Sequence, residues 1–138
     1  MPLNEEEDAQ APGPQLKGKL LCIEDSPIYL ELIESALAAF PGIVLLKALT
    51  GREGIRLARE ERPDLVLLDM HLPDISGLEV VRVLNEEIAS GALRVTLLTA
   101  DSLSMDIVKA MSLGASEYWL KPLTLDGLEN GLRRALMR

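Results

Sequence analysis

The chain has 138 residues, and its 48% hydrophobic and 26% charged residues are typical of one globular domain. Its 14 Lys and Arg against 22 Asp and Glu give a net charge of −8, which argues against nucleic-acid binding, because phosphate neutralisation needs clustered cations. One cysteine, Cys22, excludes an intramolecular disulfide and a multi-cysteine zinc site. Since no apolar run reaches about 18 residues and no signal peptide begins the chain, we expect no membrane partner and a cytoplasmic protein.

Residues 1–16 (MPLNEEEDAQAPGPQL) differ in composition from the rest of the chain. They combine an acidic run with the tripeptide Pro12-Gly13-Pro14. Such a segment has too little apolar surface to offset the entropy of ordering. We therefore predict a flexible acidic leader over residues 1–16 and a single folded domain over residues 17–138.

Five short apolar runs recur from residue 20 onward. They are LLCI (20–23), IVLL (43–46), LVLL (65–68), VTLL (95–98) and the weaker EYWL (117–120). Several are continuously apolar rather than alternating, which is typical of parallel strands covered on both faces.

Helix start and stop signals separate these runs. Ser26 followed by Pro27 is typical of a helix N-terminus, with proline at the first helical position. Further caps are predicted at Thr50, Ser76 and Thr124, and helix ends at Gly42, Gly91 and Gly114. The inner face of the last helix is predicted to be Leu125, Leu128, Leu132 and Leu136.

The pattern is therefore five βα units in strict alternation. Such alternation with short connections predicts a parallel sheet with helices on both faces, a three-layer α/β/α architecture. About 120 residues in five units suit the flavodoxin-like order 2-1-3-4-5. Ligands of that fold bind beyond the carboxyl ends of the strands.

Polar residues follow four of the predicted strands. Glu24 and Asp25 follow the first, Asp69 the third and Thr99 the fourth, while Lys121 follows the fifth. In this topology the side chains meet at one edge, where close carboxylates repel unless a cation lies among them. Oxygen ligands favour a hard divalent ion, with Mg²⁺ the natural choice.

The same groups suit phosphoryl transfer. An aspartate can act as a nucleophile and become an acyl phosphate, and Asp69 is the candidate because it ends the central strand. Lys121 would pair with the phosphoryl oxygens and Thr99 would donate a hydrogen bond to one of them.

Four segments carry a resemblance to a known family: LLCIEDSP (20–27), LVLLDMHLPDISGLEV (65–80), TLLTA (96–100) and GASEYWLKPLT (114–124). Residues 19–138 resemble the receiver domain of bacterial two-component response regulators. The resemblance implies that Asp69 accepts a phosphoryl group from the phosphohistidine of a histidine kinase or histidine phosphotransfer protein. Catalysis would then be limited to the protein's own phosphorylation and dephosphorylation.

The resemblance also assigns the metal ligands. Asp25 and Asp69 would bind Mg²⁺, or Mn²⁺, directly, and Glu24 would act through a water molecule. His71 would offer its backbone carbonyl.

The switch residues follow in the same way. Thr99 corresponds to the family's switch hydroxyl and Lys121 to its phosphate-pairing lysine. Tyr118 corresponds to the aromatic residue that turns inward when the hydroxyl moves, and the bond from Lys121 to Pro122 is expected to be cis.

The surface that transmits the signal is expected around the fourth helix, the fifth strand and the fifth helix. The resemblance places binding of a downstream protein, or homodimerisation, on this face. Phosphorylation adds about −1.5 to −2 charge and favours the loop position that bonds to Thr99. Because no output domain follows, we expect either a free single-domain regulator or a receiver from a hybrid kinase.

Other interpretations stay open. Taken singly, Glu24 and Asp25 suit a helix N-terminus, and His71, the only histidine, suits a solvated loop. Cys22 and Trp119 are interpreted as core residues. A pseudo-receiver, which uses the fold as a phosphorylation-independent interaction module, is the alternative function. A flavin or nucleotide binder has less support, because EDSP is not a glycine-rich phosphate loop.

Overall fold

A computed structural model describes residues 16–101 and 104–137, and the following elements lie within these ranges. The strands are β1 (Gly18–Ile23), β2 (Ile43–Ala48), β3 (Leu65–Asp69), β4 (Val95–Thr99) and β5 (Glu117–Leu120). The helices are α1 (Pro27–Leu37), α2 (Gly51–Glu61), α3 (Gly77–Val83), α4 (Asn85–Ala89), α5 (Met105–Ser112) and α6 (Leu125–Leu136). Except for Leu16, the leader predicted over residues 1–16 lies outside the described residues.

The strands form one parallel sheet in the order β2-β1-β3-β4-β5. This confirms the predicted flavodoxin-like order. Every residue of β3 and β4 is buried, whereas exposed residues interrupt the edge strands β2 and β5. The continuously apolar runs therefore belong to strands covered on both faces, as their pattern predicted.

Two hydrophobic clusters fill the space between the sheet and the helices. Helices α2 to α5 cover one face, where the fully buried residues include Leu21, Ile23, Leu68, Leu84 and Leu97. Helices α1 and α6 cover the other face, where the fully buried residues include Leu20, Ile33, Leu67, Leu98 and Leu132. Burial of apolar surface on both faces is the main favourable contribution to this fold.

The predicted helix caps are confirmed. Ser26, Thr50, Ser76 and Thr124 each accept a hydrogen bond from the backbone N–H three residues later. Gly91 and Gly114 follow helices with φ of +83° and +115°, a conformation that glycine adopts without steric cost. Among the described residues, no helix is both long enough and apolar enough to cross a membrane.

Three details differ from the sequence prediction. The third predicted helix is divided into α3 and α4 at Leu84, whose φ of −91° and ψ of 13° leave the α-helical region. The first helix ends at Leu37, and Phe40 is buried beyond its end. Leu125 is 40% exposed, because it lies in the first turn of α6, whereas Leu128 and Leu132 reach the core.

Candidate functional site

Polar side chains meet at the carboxyl edge of the sheet. Because neighbouring strands are parallel, the residues at or after the ends of β1, β3, β4 and β5 arrive at the same edge. Glu24, Asp69, Thr99 and Lys121 all lie there, and Lys121 Nζ contacts both Glu24 and Asp69. The predicted convergence of acids and amine is therefore present.

Three carboxylates form an acidic cluster at this edge. Glu24, Asp25 and Asp69 each offer an oxygen, and these oxygens lie within 4.8 Å of one another. Glu24 is 0% exposed and Asp69 is 4% exposed, while Asp25 faces solvent. Close carboxylates repel one another, and a set of oxygen ligands suits a hard divalent cation.

Lys121 contributes the positive charge of the site. Its Nζ donates a hydrogen bond to Glu24 Oε1 at 2.7 Å and lies 3.5 Å from Asp69 Oδ1. The lysine is held at this edge because its backbone N–H donates to Thr99 O at 2.7 Å. The peptide bond between Lys121 and Pro122 is cis, as the resemblance implied.

Burial and charge shift two pKa values in the site. Burial raises the pKa of Glu24, and the neighbouring Asp69 adds to the rise, although Lys121 acts in the opposite direction. Burial works to lower the pKa of Lys121, but the hydrogen bond with Glu24 and the negative charge of Asp69 raise the net value. Lys121 is therefore a firmly protonated cation among the acids.

Thr99 is fully buried at the end of β4, but its hydroxyl is engaged by its own loop. Thr99 Oγ1 donates to the backbone carbonyl of Asp101 at 3.1 Å and accepts from the backbone N–H of Asp101 at 3.0 Å. Bonding to a phosphoryl group would require the hydroxyl to give up its bond to the Asp101 carbonyl. The sequence placed Thr99 at this edge without indicating that local partner.

His71 and Tyr118, the remaining residues that the resemblance assigns, are both exposed. The backbone N–H of His71 donates to Asp69 Oδ1 at 3.2 Å, and its imidazole faces solvent. Tyr118 is 39% exposed on the edge strand β5. The loop after β3 thus orients the Asp69 carboxylate, while the Tyr118 ring lies on the outside of the molecule.

The sequence analysis missed the role of Asp74 in the loop after β3. Its two carboxylate oxygens accept the backbone N–H groups of Gly51 and Arg52, at 2.8 and 2.9 Å, at the start of α2. Burial works to raise the pKa of Asp74, but these hydrogen bonds lower it overall. The loop that follows Asp69 is therefore tied to a second helix. Its sequence signal was an acidic residue directly after Pro73, a pattern that also occurs in ordinary turns.

Tyr29 is a second residue that the sequence analysis did not assign. Its ring centroid lies 4.3 Å from Lys121 Nζ, within the range of a cation–π contact. Tyr29 belongs to the first turn of α1, just after the acidic pair. No spacing rule connects this tyrosine with a lysine 92 positions later, because the contact depends on how α1 packs against the sheet.

Of the two residues interpreted as core, Cys22 is confirmed, and Trp119 is half-buried against the edge of the core. Cys22 is 0% exposed, and burial raises the pKa of its thiol, so it is a small apolar side chain. Trp119 packs against α6, where a Cβ at Gly131 would come 2.7 Å from the indole ring. Its Nε1 donates to Glu117 Oε1 at 2.9 Å.

The chain matches a known protein family and is similar to characterised proteins. The sequence model of the response regulator receiver domain matches residues 20–133. The chain is 36% identical over 119 residues to the transcriptional regulatory protein AfsQ1 of Streptomyces coelicolor, covering 86% of this chain and 51% of that protein. It is 32% identical over 105 residues to the protein PilH of Pseudomonas aeruginosa, covering 76% of this chain and 86% of that protein.

A solved structure is similar over most of the chain. The receiver domain of the sensor histidine kinase PA1611 of Pseudomonas aeruginosa, solved with a magnesium ion coordinated in its active-site cleft, superposes with a TM-score of 0.75. It shares 25% identity and covers 88% of this chain and 99% of that one. By contrast, this chain spans about half the length of the first curated relatives that it matches.

Proposed function

Because this chain belongs to the response regulator receiver domain family, we propose that it accepts a phosphoryl group on Asp69 in a two-component phosphorelay. Receiver domains interact with histidine kinases or phosphotransfer proteins, and a protein of one of these classes is the proposed donor. The observation that carries the proposal is a buried Asp69 carboxylate beside the Lys121 ammonium, 3.5 Å from Oδ1, within a cluster of three acids. An ion pair that served only stability would not need the two further carboxylates.

A divalent cation is part of the proposal. Mg²⁺, or Mn²⁺, would be held directly by the carboxylates of Asp25 and Asp69 and by the backbone carbonyl of His71, with Glu24 acting through a water molecule. The donor set fits such an ion, because it consists of oxygen atoms and Lys121 is the cation that contacts these acids among the described residues. When bound, the ion supplies positive charge that stabilises the phosphoryl oxygens.

The chain's own residues define the proposed transfer step. A carboxylate oxygen of Asp69 forms a bond to phosphorus while the phosphorus–nitrogen bond of the donor phosphohistidine breaks. The imidazole nitrogen leaves with the electron pair of that bond. Lys121 pairs with the transferred oxygens, so the negative charge is neutralised without a proton transfer from the protein.

The proposed switch exchanges one hydrogen bond for another. The Thr99 hydroxyl now donates to the Asp101 carbonyl. A phosphoryl group on Asp69 offers a charged acceptor, and charge-assisted hydrogen bonds are stronger than neutral ones. The hydroxyl moves toward Asp69, and Tyr118 turns inward from its exposed position.

The proposed output surface comprises α5, β5 and α6, which include the fourth and fifth helices of the sequence prediction. Its exposed apolar side chains are Met105, Val108, Tyr118, Leu120 and Leu125. A downstream protein or a second copy of the chain is the proposed partner. Elution from a sizing column with and without beryllofluoride, a phosphoryl mimic, distinguishes the two, because only a homodimer changes the elution of the chain alone.

The proposal extends to the limits of the domain and to its place in the cell. Residues 17–138 are proposed as the receiver domain, in a protein that acts in the cytoplasm.

Intact-mass measurement after incubation with acetyl phosphate and Mg²⁺ tests the phosphoacceptor. The wild-type chain is expected to gain about 80 Da, the mass of one phosphoryl group, and Asp69→Asn to gain nothing. The matched control is Asp101→Asn, which changes a carboxylate of the neighbouring loop and is expected to keep the adduct. No adduct on the wild-type chain, or an adduct that persists in Asp69→Asn, would contradict the proposal.

A further inference from the structure

The Lys121 ammonium has a third contact besides the two acids. Its Nζ lies 4.3 Å from the centroid of the Tyr29 ring, 2.7 Å from Glu24 Oε1 and 3.5 Å from Asp69 Oδ1. A lysine ammonium is a compact charge on a flexible four-carbon stem, so a single partner does not define its position. Three contacts around one ammonium restrict it to one place.

The start of α1 determines the position of the Tyr29 ring. Ser26 caps the helix and Pro27 is its first residue, so Tyr29 is the third residue of the first turn. The backbone N–H of Tyr29 points to Ser26 Oγ at 3.5 Å. The ring therefore projects from a turn that is anchored directly after the acidic end of β1.

An aromatic ring suits this position for an electrostatic reason. Its face attracts a cation through the ring quadrupole but carries no net charge. A fourth carboxylate would also attract Lys121, but it would add repulsion to three acids that already lie within 4.8 Å of one another and to an incoming phosphoryl group. The ring therefore holds the ammonium without raising the negative charge.

We propose that Tyr29 is a positioning residue, whose ring face holds the Lys121 ammonium beside Asp69 for phosphoryl transfer. This inference rests on the proposed function of Asp69. The ring acts through Lys121 and touches no reacting atom. Its phenolic hydroxyl is not needed.

The test compares ring removal with hydroxyl removal. Tyr29→Leu keeps an apolar side chain but removes the ring, and it is expected to lower the rate constant of phosphorylation by acetyl phosphate about fivefold, the size of a partly desolvated cation–π contact. Tyr29→Phe keeps the ring and is expected to stay within about twofold of the wild type. Ile28→Ala, at a neighbouring exposed position of α1, controls for disturbance of the helix.

Two further measurements separate positioning from a general structural effect. Tyr29→Leu is expected to retain Mg²⁺ binding, because the three carboxylates at the proposed ion site are unchanged. In a Lys121→Gln background, Tyr29→Leu is expected to cause no additional loss, since the group that the ring positions is gone. Equal losses in the two backgrounds would overturn the proposal.

One result from the wild-type chain keeps the test decisive if Tyr29→Leu does not fold. Ring current from Tyr29 is expected to shift the Lys121 Hε resonances upfield in the wild type and in Tyr29→Phe, but not in Tyr29→Met. Unshifted resonances in the wild type would overturn the inference. Equal phosphorylation rates of wild-type and Lys121→Gln chains would also overturn the inference, whereas an adduct that persists in Asp69→Asn would overturn the proposed function, so the two failures are distinguishable.

Discussion

The two edges of the sheet carry their ionic groups in different ways. At the amino edge, Lys19 and Glu61 form an ion pair at 3.0 Å with side chains 44% and 38% exposed. At the carboxyl edge, Lys121 is 14% exposed and faces Glu24 and Asp69, whose side chains are 1% and 5% exposed. Exposed pairs contribute about 0–1 kcal/mol each, whereas breaking a buried pair costs about 3–5 kcal/mol.

This difference separates an edge whose ion pair is exposed from the edge that carries the proposed site. At the amino edge, solvent screens the partly exposed Lys19–Glu61 pair, so either residue is replaceable at small cost. The carboxyl edge groups three acids near one lysine, and it holds Glu24 and Asp69 out of solvent while Asp25 stays exposed. Such an excess of buried charge is unfavourable for folding by itself, and it suits the cation and the phosphoryl group of the proposed function.

Removal of the lysine at each edge is expected to give the largest difference between the edges in the free energy of unfolding. Lys121→Met leaves Glu24 and Asp69 buried without their cation and is expected to lower the free energy of unfolding by about 3 kcal/mol. Lys19→Met, the matched variant at the amino edge, is expected to cost less than about 1 kcal/mol. Urea unfolding in EDTA, followed by Trp119 fluorescence, measures both. Equal losses would show that the two edges do not differ in this way.

Addition of Mg²⁺ is expected to stabilise the chain only through the carboxyl edge. At ten times the dissociation constant, a ligand of the folded state adds about 1.4 kcal/mol to the free energy of unfolding. Asp25→Asn is expected to abolish this increment. Glu61→Gln, which changes an acid at the amino edge, is expected to preserve it. Thermal unfolding with and without Mg²⁺ gives the increments, and loss of the effect in Glu61→Gln would argue against a localised site.

Loss of the Asp74 carboxylate tests the link between the site loop and α2. Asp74→Asn is expected to cost about 1 kcal/mol at pH 7, comparable to losing a helix cap. Because the folded state lowers the Asp74 pKa, its contribution is present above the ordinary value of 3.8 and is lost as the pH falls through the lower folded value. Unfolding experiments from pH 7 to pH 2 are expected to show wild type and variant converging. A constant difference would mean that the charge is not responsible.

The smallest expected effect is a gain in stability at the amino edge. Arg62 ends α2 with φ of +47° and ψ of 62°, a left-handed conformation that is strained for residues with a Cβ. Arg62→Gly is expected to raise the free energy of unfolding by about 0.5 kcal/mol, whereas Arg56→Gly, inside the same helix, is expected to lower it by about 1 kcal/mol. Urea unfolding is again the measurement, and effects of the same sign would show that backbone strain at Arg62 is not the cause.

Most of the fold could be predicted from local signals along the chain. Continuous apolar runs identified the buried strands, and the serine and threonine caps marked the helix starts, because both depend on neighbouring residues. The alternation of elements indicated a parallel sheet, and the number of βα units suited the order that the structure has. The break at Leu84 and the exposure of Leu125 could not be predicted, since both depend on the surface against which each helix packs.

The residues that meet at the carboxyl edge could be predicted from the sequence, but the contacts between their atoms could not. Parallel strands must end at one edge, so polar residues after four strand ends were sufficient to place the acids, Thr99 and Lys121 together. The hydrogen bonds between Thr99 and the Asp101 backbone depend on the path of one loop. The binding of Asp74 to α2 depends on the distance between two loops.

By itself, the order of apolar and polar residues indicated a five-stranded parallel sheet with acids and a lysine at its carboxyl edge, because apolar runs that alternate with helices are typical of parallel strands, whose carboxyl ends lie at one edge. Only the tertiary structure decided which atoms touch. The cation–π contact of Tyr29 with Lys121 joins residues 92 positions apart, and packing of α1 against the sheet, rather than any local preference, brings them within 4.3 Å.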